Sequence, residues 1–288
     1  MVAMATPAVH AEVVPEGNKV RLLAKGFDFL EGPVWSPRHG SLIFSDIPAD
    51  RMYAWCLGTG LRVFREPSHQ ANGNTLDPEG RLLTCEHGTR RVTRTEADGG
   101  MVVLAERYAG RRLNSPNDIT AQHDGTVWFT DPPYGIRPEE QEQPKCYVFR
   151  LTADGRLTAV ADDFIKPNGI CFSPDEKTLY VSDTANERHH IRRFRVRSDG
   201  SLAGGELFVT ISPGKSDGFR TDVAGRVITS AGEGIWILSP AGELLGTIPV
   251  PEVPSNCAFG GTAGQTLFIT ARTGLYAVDL ATSSGGMA

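Results

Sequence analysis

The stretch 167-PNGICFSPDEKTLYVSDT-184 decides the fold. It reads as two short strands joined by a Ser-Pro-Asp-Glu turn, 169-GICFS followed by 178-TLYVSD, with an Asn-Gly pair at the head of an apolar run. The second strand has close counterparts elsewhere in the chain: 41-SLIFSD, 81-RLLTCE, 126-TVWFTD, 226-RVITSA and 266-TLFITA. With Leu42, Leu82, Val127, Leu179, Val227 and Leu267 taken as equivalent, the motif recurs at intervals of roughly 40 to 50 residues, the period of propeller blades. Between the anchors lie short runs separated by Gly and Pro, with no sustained helical period. The expectation is all-β: one six-bladed β-propeller over residues 1–288 with four-stranded blades. The fourth unit reads 169-GICFS, 178-TLYVSD, 190-HIRRFRV and 205-GELFVTI. The sixth supplies only three strands, 257-CAFGG, 266-TLFITA and 274-GLYAVDL, so 20-VRLLAKGF from the N-terminus is expected to complete it and close the ring. Residues 1–18 are expected to form an N-terminal extension and 282–288 a flexible tail.

Ten or eleven positions before each anchor stands an oxygen-bearing residue: Glu31, Asn72, Asn117, Asn168, Asp217 and Asn256. The first strand of a propeller blade lines the central channel, so these six face a common axis at one mouth. Asn and Asp are also ordinary turn formers, but that does not account for Glu31. Converging oxygens without His or Cys suit a hard divalent cation, Ca²⁺ first, then Mg²⁺ or Mn²⁺. Glu31 and Asp217 would neutralise its charge.

Composition narrows the classes. A chain of 288 residues with net charge -5 has no basic footprint for nucleic acid, and no apolar run spans a bilayer. Five scattered cysteines without a C-x-x-C pair point to reduced buried thiols. The first residues lack the charged and apolar regions of a secretory signal, so the reading is cytoplasmic, as a monomer or homodimer. The G-x-S-x-G match at 214-GKSDG lacks the strand before and helix after that a nucleophile elbow requires, which makes Ser216 a loop hydroxyl.

The segments 30-LEGPVW, 112-RLNSPND, 128-WFTDPPYG, 167-PNGICFSPDEKTLYVSD and 217-DGFRTD resemble those of the SMP-30/gluconolactonase/luciferin-regenerating family, in particular its bacterial gluconolactonase-like branch. The likeness covers about residues 20 to 280. It implies a divalent metal, Zn²⁺ among the possible ions, held by Glu31, Asn117, Asn168 and Asp217, with Asp217 also the catalytic group. Asn117 in relatives lies beside the metal or holds substrate. It implies a sugar lactone as substrate and hydrolysis as the reaction. Asn72 and Asn256 would line the channel.

Second-strand ends return to the same mouth at Asp46, Glu86, Asp131 and Asp183, a pattern broken by Ala231 and Ala271. Asp46 and Asp183 read as turn caps. Glu86 with His87, Asp131 with Tyr134, and Asn114 are expected to meet sugar hydroxyls, with Asn72 beside them. A bound cation would polarise the lactone carbonyl while Asp217 serves as general base or, in the rival mechanism, as nucleophile. Hydrolysis of other esters or phosphotriesters at the same site is the alternative activity. A non-catalytic calcium- or ligand-binding propeller is the alternative class.

Overall fold

In the computed structural model, which describes residues 12–286, six antiparallel four-stranded sheets stand around one axis. The innermost strands are Leu30–Ser36, Ala71–Leu76, Ile119–Ala121, Pro167–Phe172, Phe219–Thr221 and Asn256–Gly260. Each touches the innermost strand of the next blade, and the sixth touches the first. The second strands are Ser41–Asp46, Leu82–Glu86, Val127–Asp131, Thr178–Asp183, Val227–Ala231 and Thr266–Ala271, which are the six recurring runs of the sequence. Inner and second strands are almost wholly buried; exposure begins at the outer ones. The continuous apolar character of the anchor runs follows from burial on both faces, between neighbouring blades.

Packing between blades is largely aromatic and branched aliphatic. Trp128 of blade 3 meets Phe172 of blade 4 edge-on at 5.6 Å, and Trp35 of blade 1 stacks on Phe268 of blade 6 at 5.6 Å. The ring is closed as expected, by Arg21–Lys25 pairing antiparallel with Gly274–Asp279 as the outer strand of blade 6. In blade 4 the strands run Pro167–Phe172 and Leu202–Thr210, so the inner one begins before Asn168 and the outer one before Gly205. All five cysteines are free thiols.

Two terminal segments differ from expectation. Val13 and Val14 of the anticipated extension are buried against blades 5 and 6. Residues 282–285, anticipated as part of a flexible tail, are tied to blade 5: Thr282 Oγ1 donates to Asp222 Oδ2 at 3.0 Å, Val223 N to Ser283 O at 3.0 Å, and Gly285 N to Thr221 O at 2.8 Å. Asp222 and the end of the inner strand offer buried polar groups there that need partners. Ser284 and Gly286 border Ile119, Phe172 and Thr221 of three inner strands. No helix among the described residues is long and apolar enough to cross a membrane.

Candidate functional site

The recurring Ser/Thr-Asp ending of the second strands builds the ring of oxygens. The hydroxyl clamps the carbonyl of the next blade's ring residue: Ser45 Oγ donates to Asn72 O at 2.8 Å, Thr130 Oγ1 to Asn168 O at 2.7 Å, and Ser182 Oγ to Asp217 O at 3.2 Å. Between blades 6 and 1, Ser255 Oγ donates to Leu30 O at 2.6 Å. The acid that follows secures the approach to its own blade's inner strand. Asp46 accepts from Asp28 N and Phe29 N, Asp131 from Asn114 N and Ser115 N, and Asp183 from Ile165 N and Lys166 N, all between 2.8 and 3.1 Å.

Register breaks then turn the ring side chains out of the ladder. The pairing shifts between Glu31 and Val34, between Ala71 and Asn74, and between Pro167 and Ile170, which spans Glu31, Asn72 and Asn168. A bulge re-aims a side chain in this way. Asn117 and Asp217 precede the paired strands of their blades, whereas Asn256 pairs regularly with Thr270. The Asn-Gly pair of blade 4 is explained by close approach: a Cβ on Gly169 would stand 2.1 Å from Asp217 O, and one on Gly73 would stand 2.4 Å from Asn117 O. The blades converge too tightly at the axis for a side chain there.

The result is a cavity of about 450 Å³ at the mouth of the channel. Glu31, Asn72, Asn117, Asn168 and Asp217 line it together with His87 and Tyr134. The Asn168 side chain stands beside both Asp217 and Tyr134, where it favours the ionised form of each, and Tyr134 OH bonds to Thr184 Oγ1. Burial pushes the Tyr134 phenol up to about 12. Asn72 Nδ2 and His87 Nε2 are 3.0 Å apart, and burial pushes His87 down to about 4, leaving a neutral imidazole. Glu31 Oε2 accepts from Gly32 N at 2.6 Å and from Asn256 Nδ2 at 2.9 Å. Its carboxyl is held well above the usual range by burial and by the charges of Asp217 and Asp118. Asp217 is pushed up to about 7, by burial first and then by Asp118.

Asp118 forms a second layer on the axis. It is fully enclosed, accepts from Ile119 N at 2.9 Å, stands beside the Asn256 side chain, and faces Arg220 Nη1 at 3.9 Å. Asn256 therefore stands behind Glu31 rather than in the cavity.

Three anticipated sugar contacts are placed elsewhere. Glu86 is buried against Thr89 Oγ1, Arg91 Nε at 2.7 Å and Thr93 Oγ1 at 3.0 Å, all in its own blade. Asp131 has both oxygens committed to the Asn114 and Ser115 amides, and Asn114 Nδ2 donates to Asp131 O and Lys145 O. None of the three lines the cavity. In each case a buried polar group was drawn to nearby backbone or ion partners, which cost less to satisfy than a ligand that comes and goes. Asp46 and Asp183 are caps, as expected, but of the segment leading into the inner strand, and only Asp183 also holds the turn that follows it, through Ala185 N at 3.1 Å. Ser216 Oγ is buried and bonded to Thr229 Oγ1 at 2.7 Å. The sequence reading missed Thr184, Lys215 and Arg272, all in the cavity wall. Lys215 carried a signal, two positions before Asp217; Arg272 directly follows the Ala271 break.

The donor set fits a hard divalent cation. No three His, Cys, Asp or Glu side chains converge as a metal cluster among the described residues. Here instead two carboxylates meet amide oxygens, and neither Glu31 nor Asp217 has an ion-pair partner among the described residues. Burial first, and then neighbouring acids, raise their proton affinity, and a bound cation would offset that cost.

Comparison with known proteins agrees with this architecture. The profile of the SMP-30/gluconolactonase/LRE-like region matches residues 29–273. The chain is 35% identical to a gluconolactonase of Zymomonas mobilis, over 90% of this chain and 80% of that one. It is 30% identical to a pentonolactonase of Haloferax volcanii, over 85% and 81%. A solved gluconolactonase structure from Xanthomonas campestris superposes with a TM-score of 0.89 at 39% identity, covering 96% of this chain and 95% of that one. Six blades, a shared mouth of oxygens and a match over most of its length make this chain a member of the SMP-30/gluconolactonase/LRE-like family.

Proposed function

We propose that the protein hydrolyses sugar lactones, opening an aldonolactone of the glucono type to the free acid. The observation that carries this is the meeting of Glu31, Asn117, Asn168 and Asp217 in one cavity, two of them carboxylates that make no salt bridge among the described residues. These four would hold a divalent cation, Ca²⁺ first and Mg²⁺, Mn²⁺ or Zn²⁺ next. Such an ion supplies Lewis-acid polarisation of the carbonyl. Asn72, His87 and Tyr134 offer donors and acceptors around the cavity for ring hydroxyls, and the neutral His87 ring can do either.

Asp217 is the general base. It takes a proton from the attacking water as the water oxygen bonds to the lactone carbonyl carbon. The ring carbon–oxygen bond then breaks, and the departing alkoxide takes the proton back to become the hydroxyl of the product acid. Asn168 keeps the Asp217 carboxylate aimed, and Lys215 adds a positive charge that favours its ionised form.

The reading is tested by stripping the protein with chelator, restoring single metals, and following acid release from glucono-1,5-lactone. Hydrolysis above the spontaneous rate, dependent on added metal, is the expected result; no acceleration with any of Ca²⁺, Mg²⁺, Mn²⁺ or Zn²⁺ on any aldonolactone would overturn it.

A further inference from the structure

The cavity wall holds a cation that the hydrolysis reaction does not use. Arg272 follows the last residue of the second strand of blade 6, in the two-residue link to Gly274–Asp279. It is exposed and lines the cavity on the side where blade 6 meets blade 1; its backbone carbonyl accepts from Leu30 N at 2.8 Å. Its guanidinium makes no ion pair or side-chain hydrogen bond among the described residues. Glu252, an acid on the same edge, turns instead to Thr273 and Tyr276, with bonds of 2.8 to 3.0 Å.

The backbone makes this arginine costly. Its φ is 45°, in the left-handed region where Gly, Asn or Asp is the favoured residue of a tight hairpin. Asp50 and Arg90, in the corresponding loops of blades 1 and 2, are also left-handed. Their side chains, however, bond to protein: Asp50 Oδ1 to Gln70 N at 2.7 Å, and Arg90 Nε to Leu113 O at 2.7 Å. At Arg272 the fold carries the strain and gains no contact from the side chain.

A charge count gives the same direction. With a divalent cation on Glu31 and Asp217, and Asp118 facing Arg220, the carboxylates of the site are balanced. Lys215 acts on Asp217, which leaves Arg272 as a cavity-wall cation that makes no ion pair among the described residues. Lys215 Nζ is anchored to Thr184 O at 2.8 Å and Asn186 Oδ1 at 2.9 Å, on the blade 4–5 side next to Asp217. Arg272 lines the same cavity from blade 6, and its guanidinium is free to meet a bound substrate.

We infer that Arg272 is a specificity-determining contact for lactones bearing an anionic group, carboxylate or phosphate, on the carbon chain remote from the reacting carbonyl. Guanidinium forks match such groups bidentately. This rests on the lactonase reading, so the test separates the two. Metal-restored protein is assayed with glucono-1,5-lactone, with 6-phosphoglucono-1,5-lactone, and with glucaro-1,4-lactone as the carboxylate arm. The wild type should favour at least one anionic lactone by about tenfold or more in kcat/KM through a lower KM, with the preference shrinking at high salt. In Arg272→Gln and Arg272→Gly the preference should collapse towards unity; Gly accepts the left-handed backbone without strain. Which anionic lactone is favoured identifies the group.

No preference for either anionic lactone, or one that survives both substitutions, would overturn the inference. If no lactone is hydrolysed, the lactonase reading fails, and the subsite is judged by calorimetry with 6-phosphogluconate, glucarate and gluconate. Tighter binding of an anionic acid than of gluconate, lost in Arg272→Gln, supports the subsite; equal binding overturns it.

Discussion

Two sets of acids stand at the same mouth of the propeller. Asp46, Asp131 and Asp183 end second strands, are almost completely buried, and have their oxygens occupied by backbone amides of the loop leading into the inner strand. Glu31 and Asp217 begin inner strands one layer closer to the axis. Glu31 accepts from one amide and Asn256, while Asp217 is held by Asn168, and neither carboxylate is paired with a cation. The same functional group serves as a structural cap in one set and as an open donor in the other. What separates them is whether both carboxylate oxygens are taken by backbone amides, as in Asp46 and Asp131, or one is left open, as in Glu31, whose two donors share Oε2, and not how deeply the group lies.

Exchanging an acid for a neutral or apolar residue should therefore have opposite signatures in the two sets. The largest effect is expected for Asp217→Asn, where kcat for lactone hydrolysis should fall by about 10² to 10⁴-fold. The melting temperature should hold and metal should still bind in calorimetry; a variant retaining wild-type kcat breaks the assignment. Asp183→Ala should do the reverse. It strips three amides, Ile165, Lys166 and Ala185, of their acceptor and should cost about 3 kcal/mol in urea unfolding. Activity per folded molecule should stay within a few-fold of wild type.

His87 sharpens the comparison through pH. Its folded-state value near 4 lies below the unfolded 6.5, so the imidazole stays neutral in the fold while the unfolded chain takes up a proton. Its contribution is whole above pH 6.5 and is lost as pH falls towards about 4, on the order of 3 kcal/mol. Stability curves of wild type and His87→Gln should diverge in that window; parallel curves would show that His87 is not the group titrating. A smaller effect is expected for Gly169→Ala, whose Cβ would stand 2.1 Å from Asp217 O. Overpacking there should cost about 1–3 kcal/mol. It should also weaken Ca²⁺ binding in the variant that folds, because Asp217 must move; unaltered affinity would show that the carbonyl can shift without its carboxylate.

The blade count was legible because one short motif performs two packing tasks. In SLIFSD, TVWFTD and TLYVSD the hydroxyl holds the next blade and the acid holds its own, so neither is free to drift. The ring was legible for a related reason: only an oxygen donor recurs at the head of every inner strand. What could not be read was the direction in which a buried acid turns. Asp131 and Glu86 have the same composition and the same end of the sheet as true cavity residues, and only the fold reveals whether an amide, an arginine or open space lies opposite. Asn256 was separated from its five counterparts by one regular pairing where bulges were found at Glu31, Asn72 and Asn168. Tyr134 reached the cavity because the long loop after Val127–Asp131 folds back, with Gly135 N donating to Ser115 Oγ at 2.9 Å. Arg272 was invisible because a surface arginine is an ordinary residue until its surroundings are known.

The pairing of Arg21–Lys25 with Gly274–Asp279 has a consequence for biosynthesis. Glu31 leaves the ribosome 225 residues before Asn256, which holds it, and the strand that locks blade 6 onto Arg21–Lys25 emerges later still. No nascent chain short of the last blade can hold the complete ring of oxygens, so the site comes into being only once blade 6 has emerged. A chain cut before Gly274 would be a propeller lacking the strand that joins blade 6 to Arg21–Lys25.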